Sequence, residues 1–203
     1  MASHMKFSNL FITGCDKNTK WMLPWFQDNF YKHNRDSHLK VYNFDKFEPD
    51  IKGWFKKPAA MMDAAKLSNK VCWLDTDCEV RSNLQDIWSY TSSNRLSMVE
   101  DVPWSKRRGE IWHNSGVVLF KSYPNILSEW AEACKSNPQV GDQEVLHTLV
   151  KDGMRRMIHI SDMPREYNTL RLDLLDKTEP KNIKIMHWTG RKGKEHIWSM
   201  IND

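Results

Sequence analysis

The chain has 203 residues, 40% of them hydrophobic, with 30 basic and 26 acidic side chains giving a net charge of +4. That is enough chain for one domain with a real core, and no apolar run approaches the ~20 residues of a membrane span. The four cysteines show no CxxC spacing, which excludes a zinc-ribbon or disulfide scaffold and points to reduced structural thiols.

The opening MASHM reads as an expression-tag remnant, so residues 1–5 are set aside and 6–203 are expected to form a single domain. No secretory leader is legible, and the expected location is cytoplasmic. NLFITG (9–14) is a short apolar run closed by glycine, a first strand. A helix is expected after KWML, starting near Pro24. HLKVYNF (38–44) alternates like a strand, and KPAAMMDAAKL (57–67) is rich in helix formers with Pro58 in the first turn. KVCWLD (70–75) is a buried strand, and SNLQDIW (82–88) a short helix capped by Ser82. RLSMVED (95–101) and SGVVLFK (115–121) read as strands. PNILSEWAEACKS (124–136) and DQEVLHTLVKDG (142–153) read as amphipathic helices, with RMIHI (156–160) and NIKIMHW (182–188) as late strands. The alternation predicts an α/β fold: a mostly parallel central sheet flanked by helices, binding its ligand beyond the carboxyl ends of the strands.

Asp75 and Asp77 stand at such an end. Two carboxylates held close repel, and burial raises the cost, so a cation is expected to share their space. A hard divalent metal with oxygen ligands is the natural candidate. A haloacid dehalogenase phosphatase also carries an aspartate pair after an apolar strand, but needs Thr or Val where this chain has Glu79.

VCWLDTDCEVRSNLQDIW resembles the metal-binding segment of the family 8 glycosyltransferases, the glycogenin-like group with the GT-A fold. HNSGVVLFK (113–121), GDQEVLHTLV (141–150), MPREYNTL (163–170) and MHWTGRKGK (186–194) resemble further motifs of that family in the same order. The resemblance implies a single GT-A domain, with a Rossmann-like nucleotide-binding half and an acceptor half. It implies transfer of a hexose, glucose or galactose, from a UDP-sugar to an acceptor hydroxyl, with retention. Asp77 and His187 are the expected metal ligands, with Asp75 binding directly or through water and lying near the ribose. Mn²⁺ is preferred over Mg²⁺ because one ligand is an imidazole. Thr13 and Asp16 are expected at the uracil and ribose, and Lys57 at the donor. Gly190, Lys192 and Lys194 would form a flexible diphosphate loop. In the family the tail lysine falls six residues after His; here that position is Gly193, so either neighbouring lysine could serve.

Asn114, Asp142 and Gln143 are the expected catalytic and sugar-facing residues, since short side chains that donate and accept can read hydroxyls. Asp142 could instead be only a helix N-cap. Two other functions compete. A nucleotidyltransferase would share the sheet and the carboxylate-bound metal, but TGCDKNTK is a poor phosphate loop. A basic nucleic-acid-binding module would need aromatics interleaved with basic residues on one face, which the ten scattered tryptophans do not supply.

Overall fold

A computed structural model describes residues 6–48, 50–51 and 53–202. The central sheet has six strands in the order β2-β1-β3-β6-β5-β7. These are β1 (Phe7–Cys15), β2 (Leu39–Asn43), β3 (Ser68–Leu74), β5 (Leu96–Glu100), β6 (His113–Lys121) and β7 (Ile160–Asp162). β1 pairs parallel with β2 and β3, and β5 pairs parallel with β7. β6 is antiparallel to both β3 and β5, so it alone runs in reverse, and the mostly parallel sheet read from the sequence holds. A small second sheet, β4-β9-β8, joins β4 (Cys78–Val80), β8 (Thr169–Leu170) and β9 (Ile185–His187).

The pleat sorts the apolar runs onto two faces. Leu10, Ile12, Val71, Trp73, Val118 and Phe120 form one core cluster, which also holds Ala60, Met61, Ile126, Leu127, Trp130 and Leu146. Those last six come from α2 (Lys57–Ala65), α4 (Asn125–Ser136) and α5 (Asp142–Val150). Phe11, Cys72, Leu74, Val117 and Leu119 face the other way, onto Phe26 and Phe30 of α1 (Leu23–His33). The unbroken apolar stretches are thus central strands covered on both sides.

Three local readings are corrected and one helix is added. RMIHI is not a strand: Asp152 caps α6 (Gly153–His159), accepting from the Met154 and Arg155 amides, and β7 starts only at Ile160. Ser82 caps nothing; its hydroxyl bonds the Asn83 carbonyl, and residues Gln85–Tyr90 form a 3-10 helix entered through Asn34 and Asn83 side chains. α3 (Val102–Arg108) was not expected, although Asp101 caps it and Gly109, at φ +70°, ends it in the left-handed conformation that favours glycine. The tail is not a flexible loop. Gly190 opens α8 (Gly190–Asn202), which follows α7 (Arg171–Asp176) and β9. A side chain at Gly193 would stand 2.0 Å from the Trp188 carbonyl oxygen, so the glycine lets the helix seat there rather than loosening it.

Candidate active site

Past Leu74 the chain still follows β6, the Asp75 amide bonding the Gly116 carbonyl at 2.8 Å. It then turns tightly, with the Cys78 amide on the Asp75 carbonyl. β4 pairs with β9 so that Cys78 opposes His187, and the Trp188 amide bonds the Asp77 carbonyl. This register sets the His187 imidazole beside the aspartates. Its Nε2 lies 3.1 Å from Asp77 Oδ1 and 3.9 Å from Asp75 Oδ2. Residues 110 positions apart in sequence therefore converge.

Behind the ring, Nδ1 lies 3.1 Å from Asn114 Oδ1 and 3.0 Å from Asn168 Oδ1. The orientation of both amides follows from their neighbours. Asn114 Oδ1 accepts from the Gly116 amide, while its Nδ2 donates to Asp101 and Gln143. Asn168 Nδ2 donates to Asn114 Oδ1, which turns its own oxygen toward His187. Asn114 can reach this position because β5 and β6 change register between Met98 and Val99, a bulge that re-aims the strand end. Gly116 is required by contact: a Cβ there would lie 2.0 Å from the imidazole Cε1.

Lys57 opens α2 fully buried, with its ammonium 3.0 Å from Asp75 Oδ1 and 3.0 Å from Asp142 Oδ2. Burial works against its charge, but Asp142 and Asp75 outweigh it and hold the lysine protonated. Asp75 is less well compensated. Burial lifts its carboxyl above the ordinary range, and Asp77 and Asp142 push the same way against Lys57 and His187. Burial also opposes the Asp77 charge, yet His187 overcomes it and holds that carboxylate low; His187 is raised in turn, its neighbours Asp77 and Asp75 outweighing burial.

The Asp142 side chain is not a cap. Gly141 holds the N-cap position, and Asp142 Oδ2 accepts from Ser115 Oγ at 2.8 Å as well as pairing with Lys57. Gln143 takes the Asn114 amide and the Ser115 N–H on its oxygen, and donates to Asp101. Asp101, Ser115 and Asn168 belong to this network and were missed by sequence reasoning. Ser115 and Asn168 lay inside segments already matched to family motifs, HNSG and REYN, while Asp101 carried no such signal.

A cleft of about 170 Å³ opens over this floor, with Asp16, Trp54, Lys57, Asp75, Asp77, Asp142 and Lys194 on its walls. Asp16 is braced by Thr19 and Asn18, which bond its Oδ1 and outweigh burial to keep it ionised. The other expected residues lie outside the cleft wall. Thr13 is fully buried and its hydroxyl has no partner among the described residues. Asn114, Gln143 and His187 form the layer beneath. Gly190 begins α8 with φ +72°, and Lys192 points to solvent, so of the two tail lysines it is Lys194 that faces the cleft and acts on Asp77. Asp77, Cys78 and His187 also lie close enough to share an ion. The Cys78 thiol is a poor ligand, because burial and the two aspartates keep it protonated.

The sheet order, the aspartate pair at a strand end and the His187 pocket define a glycosyltransferase of the GT-A fold. The chain belongs to the nucleotide-diphospho-sugar transferase family, whose model matches residues 6–201. Among solved structures, the galactosyltransferase LgtC in complex with donor and acceptor sugar analogs is 16% identical, with TM-score 0.59 and 95% of each chain covered. A glycosyltransferase involved in glycosylation of the major capsid of PBCV-1 is 14% identical, with TM-score 0.66 over 97% of this chain and all of that one. The glycosyltransferase GlyE of Streptococcus pneumoniae TIGR4 is 18% identical, with TM-score 0.65 over 95% of this chain and 60% of its own. At these identities the likeness establishes the fold. No curated protein matches by sequence. The nucleotidyltransferase and nucleic-acid readings are not favoured by this family and fold. Among the described residues no helix is long and apolar enough to cross a membrane.

Proposed function

We propose that the protein is a metal-dependent hexosyltransferase that moves glucose or galactose from a UDP-sugar to an acceptor hydroxyl, with retention at the anomeric carbon. The observation that carries this reading is the His187 ring, which faces oxygen acceptors at both nitrogens. A neutral imidazole has one N–H to offer. Asp77 and Asp75 favour the charged ring, which donates at both nitrogens; a cation beside Asp77 would displace the Nε2 proton, leave the remaining N–H on the Asn114 and Asn168 side, and take the Nε2 lone pair. Asp75 and Asp142 share one buried lysine while Asp77 crowds Asp75, and this excess of carboxylates argues for the same cation.

Asp75, Asp77 and His187 would hold the ion, and an imidazole among oxygen ligands favours Mn²⁺ over Mg²⁺. When bound, such an ion stabilises the charge that grows on a departing diphosphate. Lys194 adds a cation from the cleft wall, in an electrostatic role that Gly190 and Lys192 support only through the helix start. Asp16 would meet the ribose, and Thr13 would form the floor beneath the base. Lys57 pairs with Asp75 and Asp142 and fixes the position of both side chains. Asp142, with Oδ2 tied down, would stand under the anomeric carbon and favour positive charge developing on the sugar. Asn114 and Gln143 set the position of Asp142 and His187 through Ser115 and Asp101. Four free, buried cysteines fit a reducing cytoplasm.

A sugar-nucleotide panel assayed with Mn²⁺ tests this. UDP-glucose or UDP-galactose is expected to be consumed, slowly even with water as acceptor, and EDTA to stop it. No consumption of either would overturn the donor assignment. Asn168→Ala is expected to lower Mn²⁺ affinity about 10–100-fold, since one of the two amide oxygens that fix the imidazole is lost. Manganese titration followed by electron spin resonance checks this, and an unchanged affinity would contradict the role given to His187.

A further inference from the structure

Beside the donor cleft lies a second one, of about 310 Å³, between the 3-10 turn Gly53–Lys56 and the loop that leads into α5. Gly53, Trp54, Phe55, Pro138, Gln139, Val140 and Gly141 line it. The two clefts share one wall and adjoin along the chain. Trp54 walls both, and Gly141 of the second is followed in the chain by Asp142 of the first. An occupant of the second cleft would therefore sit next to the proposed sugar-facing carboxylate.

The chemistry of the lining narrows the occupant. Among the described residues no lining side chain is charged, so an anionic acceptor finds no partner in these. The Trp54 indole is 57% exposed, a large flat apolar face left open at the cleft mouth. Such a face suits the C–H side of a sugar ring, while the Gln139 amide can both donate to and accept from hydroxyls. The walls are two turns rather than a strand edge, so there is no row of backbone groups for an extended peptide to pair with.

Resting on the glycosyltransferase reading above, we infer that this second cleft is the acceptor subsite and that the acceptor is a neutral carbohydrate stacked on Trp54. In the transfer, the acceptor hydroxyl forms a bond to the anomeric carbon as the bond to the nucleotide diphosphate breaks. The diphosphate leaves with the bonding pair, and the hydroxyl proton passes to it or to solvent.

The test uses full-length protein with Mn²⁺ and UDP, probed with lactose, methyl β-glucoside and a serine-containing peptide by saturation-transfer NMR. UDP binding is measured separately by calorimetry. Wild type is expected to transfer saturation to ring C–H protons of at least one glycoside. Trp54→Ala is expected to weaken that binding about tenfold, with Trp54→Phe retaining most of it. Val140→Asp, on an exposed side chain in the second cleft alone, is expected to weaken it by a similar factor by charging a neutral wall. In turnover assays the ratio of glycoside transfer to UDP-sugar hydrolysis should fall in Val140→Asp, which lies outside the donor cleft, whereas general structural damage would lower both rates alike. UDP binding without glycoside binding, glycoside binding that ignores both Trp54→Ala and Val140→Asp, or binding of the peptide alone would each overturn the acceptor assignment while leaving the donor reading standing. Absence of UDP binding would overturn the donor reading and this inference with it.

Discussion

Lys57→Met is expected to lower the melting temperature by roughly 10 °C, corresponding to about 3–5 kcal/mol. The side chain is buried and bridges Asp75 and Asp142 at 3.0 Å each. Methionine fills the same space but leaves two carboxylates facing one another with Asp77 close behind. Breaking a buried pair costs more than the pair contributes, because the orphaned charge remains. Asp142 keeps Ser115 as a partner, and Asp75 keeps the Trp73 indole N–H at 2.7 Å, so the loss stays within that range. Adding Asp142→Asn should recover part of the loss, since it removes one of the repelling charges; the two changes share a partner and will not add. Thermal unfolding of the two variants and the wild type measures this. A Lys57→Met protein as stable as wild type would show that the carboxylates are solvated or protonated rather than held by the lysine.

Gly116→Ala should be nearly as damaging to nucleotide binding as removal of His187 itself. The new methyl would lie 2.0 Å from the imidazole Cε1 and 2.3 Å from Nδ1, and the ring is buried with amides on its far side. It must tilt, and Nε2 then loses its place beside Asp77. Overpacking of this kind costs about 1–3 kcal/mol of stability. A ring displaced from its ligand position should reduce metal-supported UDP affinity about 100-fold. His187→Ala removes the ring without the clash, so it should lose the same affinity with a smaller change in melting temperature. Calorimetric titration of UDP in the presence of Mn²⁺, run beside thermal melts, separates the two effects. Wild-type UDP affinity in Gly116→Ala would mean that the ring has room the geometry denies it.

What the sequence disclosed follows the range of the interactions involved. The aspartate pair was legible because its strangeness is local: two charges end a run of core residues, and only burial beside a cation makes that tolerable. The strands that build the central sheet were legible because a strand covered on both faces must be apolar throughout. His187 and Lys57 were reached through the family motifs, and their bond partners lay 110 and 18 or more residues away. Ser115 stood unremarked inside the HNSG motif, and Asp101 had no local mark. Asp101 looked like the end of a strand, yet it caps α3 and closes the amide network under the site. The tail was misread because glycine and lysine near an end suggest mobility. In the fold Gly193 is the residue that lets α8 approach the Trp188 carbonyl, and Ile197 is buried against the same layer. That seating also turns Lys194 toward the cleft and leaves Lys192 in solvent, a choice that spacing alone left open.

Every step of the account depends on a divalent ion held between an imidazole and two carboxylates when nucleotide is present. The most direct test is the affinity of the wild-type protein for UDP, measured by calorimetry with Mn²⁺ and again with EDTA, and repeated on Asp77→Asn. The expected result is binding that needs the metal and that Asp77→Asn abolishes even when Mn²⁺ is supplied. Equal affinity in Mn²⁺ and EDTA, or an Asp77→Asn protein that binds as wild type does, would contradict it.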